Sequence, residues 1–194
     1  MLPFDYQPRT RVVFGEGAVS RLGALALEHG ASRVLVVTDP GIVSVGHAAT
    51  AERIVREAGL AVGVFDGVRE NPDTHVVEAC VQAARMLGAD LLVGLGGGSA
   101  MDTAKGANFL LTNGGVMKDY HGVGKASRPM LPLIAVPTTA GTGSECQSFA
   151  LISDPATHLK MACGDPKAAA RVAILDPLLT LSQPVRVTAC TGID

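Results

Sequence analysis

Apolar and polar positions along the 194-residue chain fall into short buried runs separated by amphipathic stretches. RVVFG (11–15) predicts a strand, and Val19, Leu22, Leu25 and Ala26 recur at helical spacing over 17–29. VLVV (34–37) is a β-branched run halted by Thr38, Asp39, Pro40 and Gly41, which together end a strand and open a turn. A helical pattern resumes over 44–58, and AVGVF (61–65) predicts the next strand. Asn71-Pro72-Asp73-Thr74 reads as a turn able to cap a helix over 74–87. LLVGL (91–95) is a buried strand that runs into Gly96, Gly97 and Gly98, and the chain is helical again from Ser99.

Residues 112–128, with TNGG and HGVGK, read as a surface connection, after which LPLIAV (131–136) returns to the sheet. FALIS (149–153) and LKMAC (159–163), parted by Asp154-Pro155, predict a hairpin, VAIL (172–175) a further strand, and 184–194 the opening of a helix. Alternation of strand and helix predicts an α/β fold: an open, mostly parallel sheet with flanking helices and right-handed crossovers. The Ala, Val, Leu and Gly excess suits strands buried on both faces.

Composition removes several function classes. Net charge is -2 with the two signs interspersed, so no basic stripe faces a nucleic acid. No apolar run approaches the roughly 20 residues of a bilayer span, which argues against a membrane. MLPFDYQPRT lacks the regions of a secretory signal, so a cytoplasmic location is the expectation. Cys80, Cys146, Cys163 and Cys190 form no CxxC pair and read as small buried residues.

The candidate chemistry begins at the glycine turn. A buried strand, three glycines, Ser99 and a helix can hold a pyrophosphate, because missing side chains admit backbone N–H groups and the helix start supplies partial positive charge. A plain tight turn would use the same glycines, and the segment is neither GxGxxG nor GxxxxGK[ST]. Asp39, after VLVVT, can accept hydrogen bonds from an adenosine ribose or satisfy its own turn. In the first role it favours NAD over NADP, whose 2′-phosphate it repels, and no arginine lies beside it. PTTAGTGSE (137–145) crowds hydroxyls at Thr138, Thr139, Thr142 and Ser144 between glycines, a set suited to phosphate or amide binding or to capping a loop.

GGGSAMDTAKG (96–106), PTTAGTGSE (137–145), Asp39 and PVRVTACTGID (184–194), in this order and spacing, closely resemble the iron-containing alcohol dehydrogenase family over essentially the whole chain. The resemblance implies a Rossmann-like NAD(P)-binding domain, assigned to 1–183, followed by an all-helical metal-binding domain of which 184–194 would be only the start. It assigns the pyrophosphate to Gly97, Gly98 and Ser99 and the adenosine ribose to Asp39. Asp102 would lie close to the nicotinamide, with Thr138, Thr139 and Thr142 along the phosphate and nicotinamide side. Asn71, Leu151, Lys160 and Leu179 are further cofactor contacts by the same resemblance.

The family chemistry is metal-assisted: Fe²⁺, or Zn²⁺ in some relatives, polarises an alcohol oxygen while hydride passes to the nicotinamide, and the reverse reaction reduces an aldehyde or ketone. In the TGID segment the resemblance makes Asp194 a metal ligand. No two of the five histidines stand at i, i+4 to complete a site, so the expectation is that this chain alone holds no catalytic metal and oxidises no alcohol. Apolar surface meant for a helical half is expected to drive self-association. Two other readings stay open, a zinc glycerol dehydrogenase-like enzyme and a non-catalytic nucleotide-binding module.

Overall fold

The computed structural model describes residues 8–193. Strands β1 (Arg11–Phe14), β2 (Arg33–Val37), β3 (Ala61–Phe65), β4 (Leu91–Gly96), β6 (Leu133–Pro137) and β9 (Val172–Leu175) form one sheet in the order β1-β9-β6-β4-β2-β3. Every pairing in it is parallel. A smaller sheet joins β5 (Gly122–Val123), β8 (Lys160–Gly164) and β7 (Phe149–Ser153), the last two as an antiparallel hairpin.

Parallel neighbours need crossovers, and helices α1 (Leu22–Glu28), α2 (Pro40–Ser44), α3 (His47–Glu57), α4 (Thr74–Leu87) and α5 (Gly98–Asn113) supply most of them. β4 and β6 are buried along their whole length, as strands covered on both faces must be. One core layer packs Val34, Val36 and Ile134 of the sheet against Leu25 of α1 and Val55 of α3, and the other packs Leu35 and Leu92 against Val77 of α4 and Phe109 of α5.

Helix α5 has no polar face, and Ala100 through Leu110 are all buried between the main sheet, α4 and β7. Close approach depends on glycine: a Cβ at Gly94 would meet Met101 Cα at 3.1 Å, and one at Gly106 would meet Val77 and Ile152 at 3.2 and 3.4 Å. The polar side chains α5 carries are thereby forced into the interior.

Three expectations need adjusting. The turn read over 38–41 opens a short helix, α2, because Asp39 caps it with Pro40 in its first turn, and Gly46 at φ 85° separates it from α3, which falls within the predicted 44–58. The predicted helix over 17–29 opens as a single turn at Ala18–Arg21 before α1. The connection 112–128 is not purely superficial, since Met117, Tyr120 and Ala126 are buried and Tyr120 packs at a tilt against Phe109 with ring centroids 5.0 Å apart. Residues 185–191 form helix α6 (Val185–Thr191), as the pattern predicts. Among the described residues no helix is long and apolar enough to cross a membrane.

Candidate functional site

The chain leaves β2 toward β3 on one side and re-enters the sheet as β4 on the other, so the crevice beyond the ends of β2 and β4 is the topological switch point. A cleft of about 1270 Å³ opens there. Its floor is the glycine turn. Gly96 has φ 143°, Gly97 is the N-cap of α5, and the helix begins at Gly98 with no side chain capping it. Helices α2 and α4, by contrast, are capped by Asp39 and Asp73. A sixteen-residue helix with an uncapped start offers free N–H groups and partial positive charge to an anion.

Packing does not require glycine at the next two positions. A Cβ at Gly97 would lie 3.6 Å from Thr139 and one at Gly98 would lie 3.5 Å from Thr142, both ordinary contacts. The space those methyl groups would occupy belongs to the cleft, whose wall continues through Ser99.

Asp39 does two things at once. Its Oδ1 accepts the Ile42 N–H at 3.0 Å and caps α2. Its Oδ2 lies over the turn, 3.3 Å from where a Cβ on Gly96 would stand, as a second acceptor at the cleft.

The loop after β6 forms the opposite wall. Thr138 is wholly buried, its N–H donates to Gly96 O at 2.9 Å, and its Oγ1 accepts from Gln183 Nε2 at 3.0 Å. Thr142 Oγ1 faces Ser144 N–H at 3.4 Å. The Thr139 hydroxyl is buried with no partner among the described residues, which is costly unless a ligand supplies one. The wall is roofed by the segment leading into α6, where Ser182 Oγ meets His47 Nε2 at 2.7 Å.

At the far end, α5 presents Asp102 and, one turn on, Lys105, which is completely buried. Lys105 Nζ donates to Ser144 O at 2.6 Å, to Phe149 O at 3.1 Å and to Ser144 Oγ at 3.1 Å. Ser144 Oγ in turn donates to Asp102 Oδ1 at 2.8 Å. Burial pushes the Asp102 carboxyl above its ordinary range, opposed by the Lys105 ammonium and by hydrogen bonds from Ser144 and Leu151. Burial pushes Lys105 down to about 8, opposed by Asp102 and Glu145. Burial draws both groups toward their neutral forms, and their mutual attraction, with the loop carbonyls and the Ser144 hydroxyl, opposes it. Lys160 Nζ, on β8, donates to Asn71 Oδ1 at 3.0 Å and ties the hairpin to the loop before α4, where Asn71 takes the left-handed φ of 52°.

The cleft thus gathers Asp39, Asn71, Gly97, Gly98, Ser99 and Asp102 with Thr138, Thr139, Thr142, Leu151 and Lys160. Leu179 does not line it and sits buried in the core with Ile42 and Val36. Asp194 lies outside the described residues. Sequence reasoning passed over Lys105 and Gln183. Lys105 was visible as a cation three residues after Asp102 on one helical face, but nothing local signals its burial.

The family model for iron-containing alcohol dehydrogenase matches residues 8–177. The NAD-dependent methanol dehydrogenase of Bacillus methanolicus is 42% identical over 183 residues, spanning 94% of this chain and 48% of that protein. An alcohol dehydrogenase from Oenococcus oeni has a solved structure with TM-score 0.93 and 34% identity, covering 99% of this chain and 51% of that one. The sulfoacetaldehyde reductase of Bifidobacterium kashiwanohense, solved in complex with NAD⁺, superposes with TM-score 0.87 at 34% identity, over 100% of this chain and 51% of that one. The chain spans about half the length of the curated relatives it matches.

Proposed function

Because this chain belongs to the iron-containing alcohol dehydrogenase family, we propose that it binds NAD and presents the nicotinamide for hydride exchange with a small alcohol, or with the matching aldehyde or ketone. The observation that carries this reading is the uncapped start of α5 at Gly97 and Gly98, set beside the Asp39 carboxylate at the switch point. Free N–H groups at Gly98 and Ser99 receive the pyrophosphate, and the Asp39 Oδ2 accepts from the adenosine ribose. The orphaned Thr139 hydroxyl gains its missing partner on the ligand, with Thr138 and Thr142 on the same wall. Asn71, Asp102, Leu151 and Lys160 enclose the nicotinamide end.

When bound, the dinucleotide supplies the hydride acceptor. The protein's part is to fix its orientation and to exclude water from the inner end, where Asp102 and Lys105 are buried. A metal fits the described residues poorly, since among them no three His, Cys, Asp or Glu side chains gather at one point.

Calorimetric titration with NAD and NADH tests the proposal, with one site per chain expected. Absence of heat and of any ligand-induced rise in the unfolding temperature would overturn it. Leu181 and Val185, 77% and 87% exposed beside the cleft, give apolar surface for self-association, which sedimentation across a concentration series checks.

A further inference from the structure

We infer that Arg69 is a second determinant of dinucleotide choice: its guanidinium, on the same cleft as Asp39, donates to a 2′-phosphate, so that the chain takes NADP as well as NAD. The inference rests on the dinucleotide reading of the cleft.

Asp39 and Arg69 are far apart in sequence, and the fold brings them together. Beyond β3 the chain bends back over the end of β2: Thr38 N–H donates to Phe65 O at 2.8 Å, and Val68 N–H donates to Thr38 O at 3.2 Å. Those two bonds fix Val68 against the residue preceding Asp39. Arg69 and Asp39 therefore flank one backbone contact, and both line the cleft. No arginine lies beside Asp39 along the sequence, but in the folded chain Arg69 lines the same cleft.

The guanidinium is available. Arg69 is exposed and belongs to none of the ion pairs among the described residues, whereas Arg11, Arg33, Arg53 and Arg56 each pair with a carboxylate. Of the other cations lining the cleft, Lys160 is committed to Asn71, and Arg186 stands on α6. Glu70, the acidic neighbour of Arg69, is also exposed and forms no ion pair with it.

Asp39 is also less repulsive than a free carboxylate. One of its oxygens accepts the Ile42 N–H at the start of α2, so part of its charge is met by the helix terminus. A phosphate on the ribose 2′ oxygen then faces a partly compensated anion and an unpaired arginine, whose planar fork matches phosphate oxygens two at a time.

The test compares NAD and NADP titrations of the unmodified chain, R69A and R69K. The readout is the ratio of two affinities, which partial loss of folded protein cannot move. R69A is expected to widen the preference for NAD by about tenfold, the scale of one exposed charge-assisted phosphate contact. R69K retains part of the effect, and the steeper salt dependence of NADP binding disappears in R69A. A ratio that R69A leaves unchanged within about twofold, well under one such contact, overturns the inference while NAD binding still stands. Failure of the unmodified chain to bind either dinucleotide overturns the cleft reading and this inference together.

Discussion

Ser144 Oγ donates a 2.8 Å hydrogen bond to the Asp102 carboxylate, joining the loop after β6 to the buried middle of α5. The same hydroxyl lies 3.1 Å from the Lys105 ammonium, so one small side chain bridges a cation and an anion that form no direct ion pair among the described residues. Two walls of the cleft are thereby locked in register at its inner end.

Replacing Ser144 with Ala removes that bridge and leaves a buried acceptor short of a partner. The expected cost is about 1–3 kcal/mol of stability, with weaker NAD binding because Asp102 loses its orientation. Urea unfolding and NAD titration of S144A check both effects, and unchanged values in both would remove the bridge from the account.

Lys105 predicts an unusual alkaline behaviour. The folded chain releases its proton near pH 8, against an ordinary value of 10.5, so between these values the unfolded state holds more protons and stability rises with pH. Below about 8 the cost of burying the charge is present in full. The gain across the window is on the order of 3 kcal/mol. Chemical denaturation at several pH values in that window should show this slope in the unmodified chain and lose it in K105M.

Gly98 separates folding from binding. A Cβ there would lie 3.5 Å from Thr142, an ordinary contact, and the residue has helical backbone, so G98A should fold with little change in unfolding temperature. The added methyl stands in the cleft where a pyrophosphate would lie, and NAD affinity should fall by about tenfold or more. Matched thermal unfolding and calorimetry decide the point, and full NAD affinity in G98A would count against the glycine turn as the phosphate site.

Asp39 can be dissected in the same way. D39N keeps a side-chain oxygen to cap α2 and removes the charge, whereas D39A loses both. D39A should cost about 1 kcal/mol of stability, D39N much less. Both should weaken NAD more than NADP. Equal losses for the two dinucleotides would reduce Asp39 to its capping role.

Much of this molecule is legible in one dimension. Helix α4 and strands β3, β7 and β9 appear where periodicity and turn residues put them, because each is strongly patterned and ends at or near Gly, Pro, Asn or Asp. Helix α2 was hidden because Pro40 and Gly41 read equally as a turn, and the Asp39 cap makes Pro40–Ser44 helical. Leu179 shows the opposite limit: a resemblance carries it into the site, yet its side chain packs in the core.

What the sequence determined by itself was the parallel α/β order, the glycine turn after β4 and the donor-rich loop after β6. These are local matters, set by backbone freedom, hydrogen-bonding groups and apolar spacing over a few residues. The tertiary structure alone decided that Lys105 is buried among loop carbonyls, that Gln183 meets Thr138, and that Arg69 and Asp39 line one cleft. Those relationships depend on which strands become neighbours. The strand order is fixed by collective burial of two faces of a sheet, and no single stretch of the chain carries that information.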